Sequence, residues 1–360
     1  FFAVARPPPA ATVGPAMAQP ATGLAADTAP DVALRHIVRE CHADLLKYRA
    51  VALQSRRPVG IHQTRVALRR LRAAFGLFRS AVNGPVVRAL SAEAKWLAGE
   101  CAPARDLHVF LNETVHDVPP LVKRIANRLA KAHLERARAA LSGARFEGFH
   151  RQLEAFIALP PAGTHERLDE FARAVLDKRH NKTVQRGHKL GSLDERRLHR
   201  LRIAIKKLRY AAAFLQPAFA SPPFASRRAK PYIEATVRLQ GALGALNDRA
   251  VAAHVLADLA TAARPTEDVK QPLKALAKQA AAGGKRRRRK VERAWQEFRK
   301  AGRFWRVEVG AKTKDERHAE RGRAAHSGNG TDRLPGQRQD DALEQAAAPA
   351  GARRHGGDHQ

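Results

Sequence analysis

With 360 residues and 44% apolar side chains, the chain can bury one or two sizeable cores, and few aromatics beside abundant Ala, Leu and Arg favour helices over a β-rich fold. A net charge of +32 and a pI near 11.4 make a compact body repel itself, so its partner should be acidic and highly charged. Two cysteines, Cys41 and Cys101, exclude a disulfide framework or a Cys-rich zinc site, and no apolar run approaches the roughly 18 residues of a membrane span; a cytoplasmic protein is expected.

Residues 1–30 are rich in Pro, Ala, Gly and Thr and read as a disordered linker. The sole methionine is Met17, so either translation starts there or the chain continues upstream of Phe1. From Asp31 the spacing of Leu34, Ile37, Val38, Cys41 and Leu45 predicts a first helix. Pro58-Val59-Gly60 separates it from a second helix, which should run to the turn at Asn83-Gly84-Pro85. A third is predicted from Val86 to Ala102, with Pro103 interrupting it before Asp106–Glu113. A long helix opens at Pro119-Pro120 and a short one follows over Phe146–Leu159.

Pro160-Pro161-Ala162-Gly163 marks the midpoint. Thr164 could cap the next helix, which is expected to reach His188; Pro222-Pro223 breaks the chain again after a helix ending near Gln216. One helix should lead into Gly241–Asp248, another carry Val251–Ala263, and a last one extend from Thr266 to Lys300. The pattern predicts an all-α protein with four main helices per half, 31–160 and 161–306, and a disordered tail over 307–360, where large apolar residues nearly vanish.

In the helix around IHQTRVALRRLRAAFGLFRS, His62, Arg65, Arg69 and Arg72 fall within about 80° of arc, opposite Leu68, Leu71, Phe75 and Phe78. LHRLRIAIKKLRYAAAFL repeats the pattern 137 residues on, with His199, Arg202, Lys206 and Arg209 as the basic row. A second repeat follows at an offset of 142, pairing Gly99 and Arg105-Asp106 with Gly241 and Asn247-Asp248. The chain therefore reads as an internal duplication of one helical unit. Each basic row is about 15 Å long, and two rows face to face would line a cationic groove.

Other helices are expected to aim cations inward: Arg136 continues the stripe Ile125, Leu129, Ala132; Arg287 follows Leu276 and Ala280; Arg179, Lys182 and Arg186 form one line, and Arg35, Arg39, His42 and Arg49 another. Buried charge without a partner costs several kcal/mol, and 34 acids cannot serve 66 bases, so an external anion is expected. The planar fork of arginine suits phosphate, and a row of such forks suits a linear chain of phosphates. The bland readings are solvated helix faces for the rows, caps for His62 and His199, a surface patch for GKRRRRK, and turn or packing roles for Gly99, Asp106, Gly241 and Asp248.

HQTRVALRRLRAAFGLF, LHRLRIAIKKLRYAAAFL, LQGALGALND and the closing AWQEFRKAGRFW resemble the CHAD family, the conserved-histidine α-helical domain, over about 31–306. The first-half glycine motif departs from the pattern, since Cys101-Ala102-Pro103-Ala104 precedes Arg105-Asp106. The resemblance implies two four-helix bundles related by a pseudo-two-fold axis around a central basic cavity that binds inorganic polyphosphate, and association with polyphosphate granules. On that view both basic rows contact the chain. Some members follow an N-terminal CYTH triphosphatase domain, whose Glu-x-Glu-x-Lys strand is nowhere in this sequence and would lie upstream of Phe1.

Two rival readings are an enzyme and a nucleic-acid binder. A metal site lacks a carboxylate or second histidine at i+3 or i+4 from His62 or His199. Arg354-His355-Gly356 resembles a phosphohistidine phosphatase triplet but sits in the tail without a preceding strand, so neither an enzyme nor a cofactor is expected. Nucleic-acid binding is favoured by charge alone, without aromatics for stacking or a recognition motif, and is expected only as a weak, salt-sensitive activity.

Overall fold

A computed structural model describes residues 24–55, 58–160, 166–220, 229–263 and 267–306. Among them all regular structure is helical: α1 (Pro30–Gln54), α2 (Val59–Leu77), α3 (Pro85–Glu100), α4 (Ala102–Val109), α5 (Pro120–Ser142), α6 (Ala144–Ala158), α7 (Leu168–Arg186), α8 (Glu195–Leu215), α9 (Ala229–Ala263), α10 (Glu267–Ala281) and α11 (Gly284–Lys300). A π turn over Phe110–Thr114 extends α4, and short 3₁₀ turns cover Leu190–Ser192 and Gln216–Phe219.

Local chemistry explains the boundaries. Proline occupies the first turn of α1, α3, α4 and α5, where its missing N–H costs nothing. Asp194 caps α8 by accepting from the Arg197 N–H at 2.7 Å, so this helix starts three residues before the apolar pattern does. The second helix ends at Leu77, short of the expected turn at Asn83.

Two expectations in the second half are corrected. Gly241–Asp248 does not end a helix: α9 runs unbroken for 35 residues. Its counterpart is split between α3 and α4, because Pro103 stands where the second half has Ala245. The expected single helix over 266–300 is two, broken at Gly283, whose φ of 77° is readily reached only without a Cβ. The possible cap at Thr164, the break at Pro222-Pro223, residues 1–23 and the tail from 307 lie outside the described residues. The end of the expected linker is tied down: Leu24 is buried, and the Ala26 and Thr28 carbonyls accept from the Asp169 and Leu168 N–H groups at 3.0 and 2.9 Å.

The hydrophobic cores do not divide at the midpoint. The larger joins Leu34, Ile37, Leu68, Phe75 and Phe78 to Phe171, Leu208, Phe214, Tyr232 and Trp305. Phe78 stacks on Phe171 across the halves, with ring centroids 5.1 Å apart. A smaller core sets Leu107, Phe110, Val122 and Ile125 against Ala252, Val255, Leu259 and Leu276. The C-terminal segment is latched by Asp177, which accepts from Trp305 Nε1 at 3.1 Å and pairs with Arg303 and Arg306. This packing holds α2 directly against α8.

Candidate anion-binding site

The site is built where α2 meets α8. Each helix buries its apolar side, and the basic sides converge along the seam. Arg69 is exposed, yet its positive charge acts on His62 and Arg65 in its own half and on Arg202, Lys206 and Arg209 in the other. Arg72, also exposed, acts on Lys206. The structure thus brings Arg69 and Arg72 of the first row to Arg202, Lys206 and Arg209 of the second.

The members are not equivalent. Arg65 is anchored, its Nη1 donating to the Ala98 carbonyl at 2.8 Å and its Nη2 lying 3.8 Å from Asp106. Burial lowers its pKa and Asp106 partly restores it. Arg202 shows the same balance: burial lowers its pKa and Asp248 raises it. Arg209 is buried, 4.6 Å from the Tyr210 ring centroid, with its pKa lowered by burial. Lys206 reaches solvent, but the protein crowded around it and the neighbouring Arg202, Arg69 and Arg72 push it down to about 8.

The paired histidines differ most. His62 is half-buried and held down to about 4, first by burial and then by Arg105, Arg69 and Arg65. At neutral pH it is therefore a neutral imidazole, with one N–H available to donate and no charge to add to the row. His199 is exposed on the first turns of α8.

Several cations expected to point inward have other tasks. Arg136 is exposed and bidentate to Glu100, at 2.6 and 3.0 Å, so it does not enter the seam. Arg179 donates to the carbonyls of Lys207 and Gly76, tying α7 to both signature helices, and burial pushes it down to about 10. Lys182 is exposed and acts on Lys207, and Arg39 is exposed on α1. Arg287 donates to the Ala280 carbonyl and acts on Asp248, which places it near the second-half seam. The supposed shortage of acids also fails locally. Arg35 meets Asp31, Arg49 meets Glu147, and the buried Arg70 meets Asp44 at 2.6 Å.

The sequence pattern marked Asp106 and Asp248 as turn or packing residues and gave Arg105 no role in the site. Burial raises the pKa of Asp106 despite Arg65, Arg105 and Arg69 beside it; Asp248, although it reaches solvent, is raised in the same way despite Arg202 and Arg287. The signal was present in the two offsets, since the repeated aspartates serve the repeated arginines. The seam thus carries an excess of positive charge, with the anchored Arg65 and the buried Arg209 at its base and the exposed Arg69, Arg72 and Lys206 at its mouth. Such an array is suited by charge and by its hydrogen-bond donors to a multiply charged anion lying along its length.

A family model for the CHAD domain matches residues 36–257. Among solved structures, the chain is similar to the CHAD domain from the plant Ricinus communis, with 27% identity, a TM-score of 0.66, and coverage of 79% of this chain and 96% of that one. It also shares the fold of PptA from Streptomyces chartreusis, at 17% identity and a TM-score of 0.51, covering 76% and 99% of the two chains. No protein of curated function matches it.

Proposed function

The chain belongs to the CHAD domain family, and on that premise we propose that the seam between α2 and α8 binds inorganic polyphosphate without hydrolysing it. The observation that carries this reading is the position of Arg69, which acts on cations of both halves at once. Such crowding of like charge is unfavourable until an anion of matching charge density lies among them. A lone phosphate neutralises one or two guanidiniums, whereas a linear chain can run along rows about 15 Å long. We take the halves to be related by a pseudo-two-fold axis around a central basic cavity, with both rows contributing.

The described residues contain no helix long and apolar enough to cross a membrane. A cytoplasmic polyphosphate granule is the setting this reading favours. The test is calorimetric titration of the full chain with polyphosphates of graded length, beside triphosphate and a DNA duplex. Affinity should climb with chain length and fall at least tenfold when Arg69 and Arg72 are both replaced by Gln. Equal affinity for every polyanion, or no effect of the double substitution, would overturn the proposal.

A further inference from the structure

The seam leaves one strongly charged surface unused. On α11, Val291, Ala294, Trp295 and Phe298 are buried, and Arg287 lies on the same side, near Asp248. Lys285, Arg286, Arg289, Lys290 and Arg293 are all exposed and fall within an arc of about 140° on the opposite side. They span about 12 Å of helix. None forms an ion pair among the described residues, and Glu292 is the sole acid between Lys285 and Arg293.

This arrangement breaks two rules of helix stability. Lys285 and Arg289, Arg286 and Lys290, and Arg289 and Arg293 are like charges at i,i+4, which repel. The cations also crowd the N-terminal turns, where the helix dipole favours anions, and no acid sits in the first turn to offset them. Local violations of this kind persist where a ligand relieves them. We propose that the exposed face of α11 is a second anion site, independent of the seam, that binds the phosphate backbone of duplex nucleic acid.

The shape selects that partner. A helix face is convex and about 10–12 Å across with its side chains, a match for the roughly 12 Å major groove or for the ridge of phosphates beside it. The face presents no aromatic ring for stacking unpaired bases, because Trp295 and Phe298 point into the core. It presents no apolar residue to enter a bilayer, which separates it from a membrane-surface helix. Binding should be non-specific in sequence and steeply salt-dependent.

The experiment replaces Lys285, Arg286, Arg289, Lys290 and Arg293 with Gln in the full chain, with circular dichroism to verify helicity. Fluorescence anisotropy with a mixed-sequence DNA duplex is read at several salt concentrations, and polyphosphate binding by calorimetry. Duplex affinity should fall at least tenfold and the slope of log affinity against log salt should flatten by about 0.9 per lost phosphate contact. Polyphosphate affinity should hold within about twofold, and the Arg69→Gln, Arg72→Gln variant should show the converse, losing polyphosphate and keeping DNA. Unchanged duplex affinity would overturn the proposal. So would a parallel loss of polyphosphate affinity, which would make α11 part of the seam, or binding to phosphatidylserine vesicles that exceeds binding to the duplex.

Discussion

The guanidinium of Arg65 stands 3.8 Å from the carboxylate of Asp106, and 137 residues later Arg202 lies in the field of Asp248. Each half therefore sets one negative charge beside the second member of its basic row. A unit charge at about 4 Å is worth roughly 1 kcal/mol in water-like surroundings. Replacing Asp106 with Asn removes a charge that opposes the polyanion, while the Ala98 carbonyl still holds Arg65. Polyphosphate affinity should rise about fivefold, as measured by calorimetry at neutral pH. A fall would mean that the grip of Asp106 on Arg65 matters more than its charge.

Lys206 supplies a pH dependence whose sign is fixed. Its pKa is pushed down to about 8 in the free protein, and a bound polyanion stabilises the ammonium and raises it again. Polyphosphate affinity should therefore weaken as pH rises through 8, and binding near pH 8.5 should take up protons, visible as a dependence of the calorimetric heat on the buffer. Lys206→Arg, charged throughout, should abolish that uptake and keep the affinity within about twofold. Persistent uptake would place the titrating group elsewhere.

What the sequence disclosed here was set by periodicity. The rows on α2 and α8 were legible because the 3.6-residue period separates cationic from apolar sides twice over, at one offset. The inward aim assigned to Arg136 came from extending an apolar stripe by one turn, and at the end of a core that rule fails, because Glu100 was close enough to draw the side chain outward. Pairing partners such as Asp44 for Arg70 and Glu147 for Arg49 come from other helices, and no spacing within one helix reveals them. The break at Gly283 rests on a left-handed backbone that a run of Ala and Gly only hints at.

Arg70 is buried and held by Asp44 at 2.6 Å, with Glu40 at 3.8 Å and the Phe214 ring centroid 5.9 Å from its guanidinium. Removing a partner from a buried charge costs about 3–5 kcal/mol. Asp44 is partly solvated and Glu40 remains, so Asp44→Ala should cost about 3 kcal/mol in chemical denaturation. The Asp44→Ala, Arg70→Met double variant should recover part of this loss, since no buried charge is then left without a partner. Equal stability of the two variants would remove the ion pair from the account.

His180 should contribute to the acid sensitivity of the fold. It hydrogen-bonds the Tyr232 hydroxyl at 2.8 Å among Phe298 and Trp305, and burial with Arg303 nearby holds it down to about 4. The unfolded chain binds this proton at about 6.5, so between 6.5 and 4 it holds more protons than the native state. Stability rises with pH across that window, and is lost as pH falls from 6.5 towards 4. His180→Gln, which keeps a partner for Tyr232, should flatten this part of the Tm profile. An unchanged slope would assign it to the other histidines that burial holds down, His62, His42, His108 and His133.

Two glycines of α2 should respond to the same substitution with opposite signs. A Cβ on Gly60 would lie 2.6 Å from the Ala52 nitrogen and 2.7 Å from its Cα. These are backbone atoms of α1 and cannot swing aside, so Gly60→Ala must separate the two helices and should cost about 1–3 kcal/mol. Gly76 meets nothing within 4 Å. There Ala adds helix propensity without a clash and should stabilise by about 0.5 kcal/mol, reduced from the mid-helix value because the helix ends at Leu77. The displacement caused at Gly60 lies two residues from His62 and tilts the row that carries Arg65 and Arg69. Denaturation midpoints and polyphosphate titrations of both variants should therefore show loss of stability and affinity together at Gly60, and a gain in stability with unchanged affinity at Gly76. Loss of stability at Gly60 with full affinity would show that the seam tolerates rotation of α2.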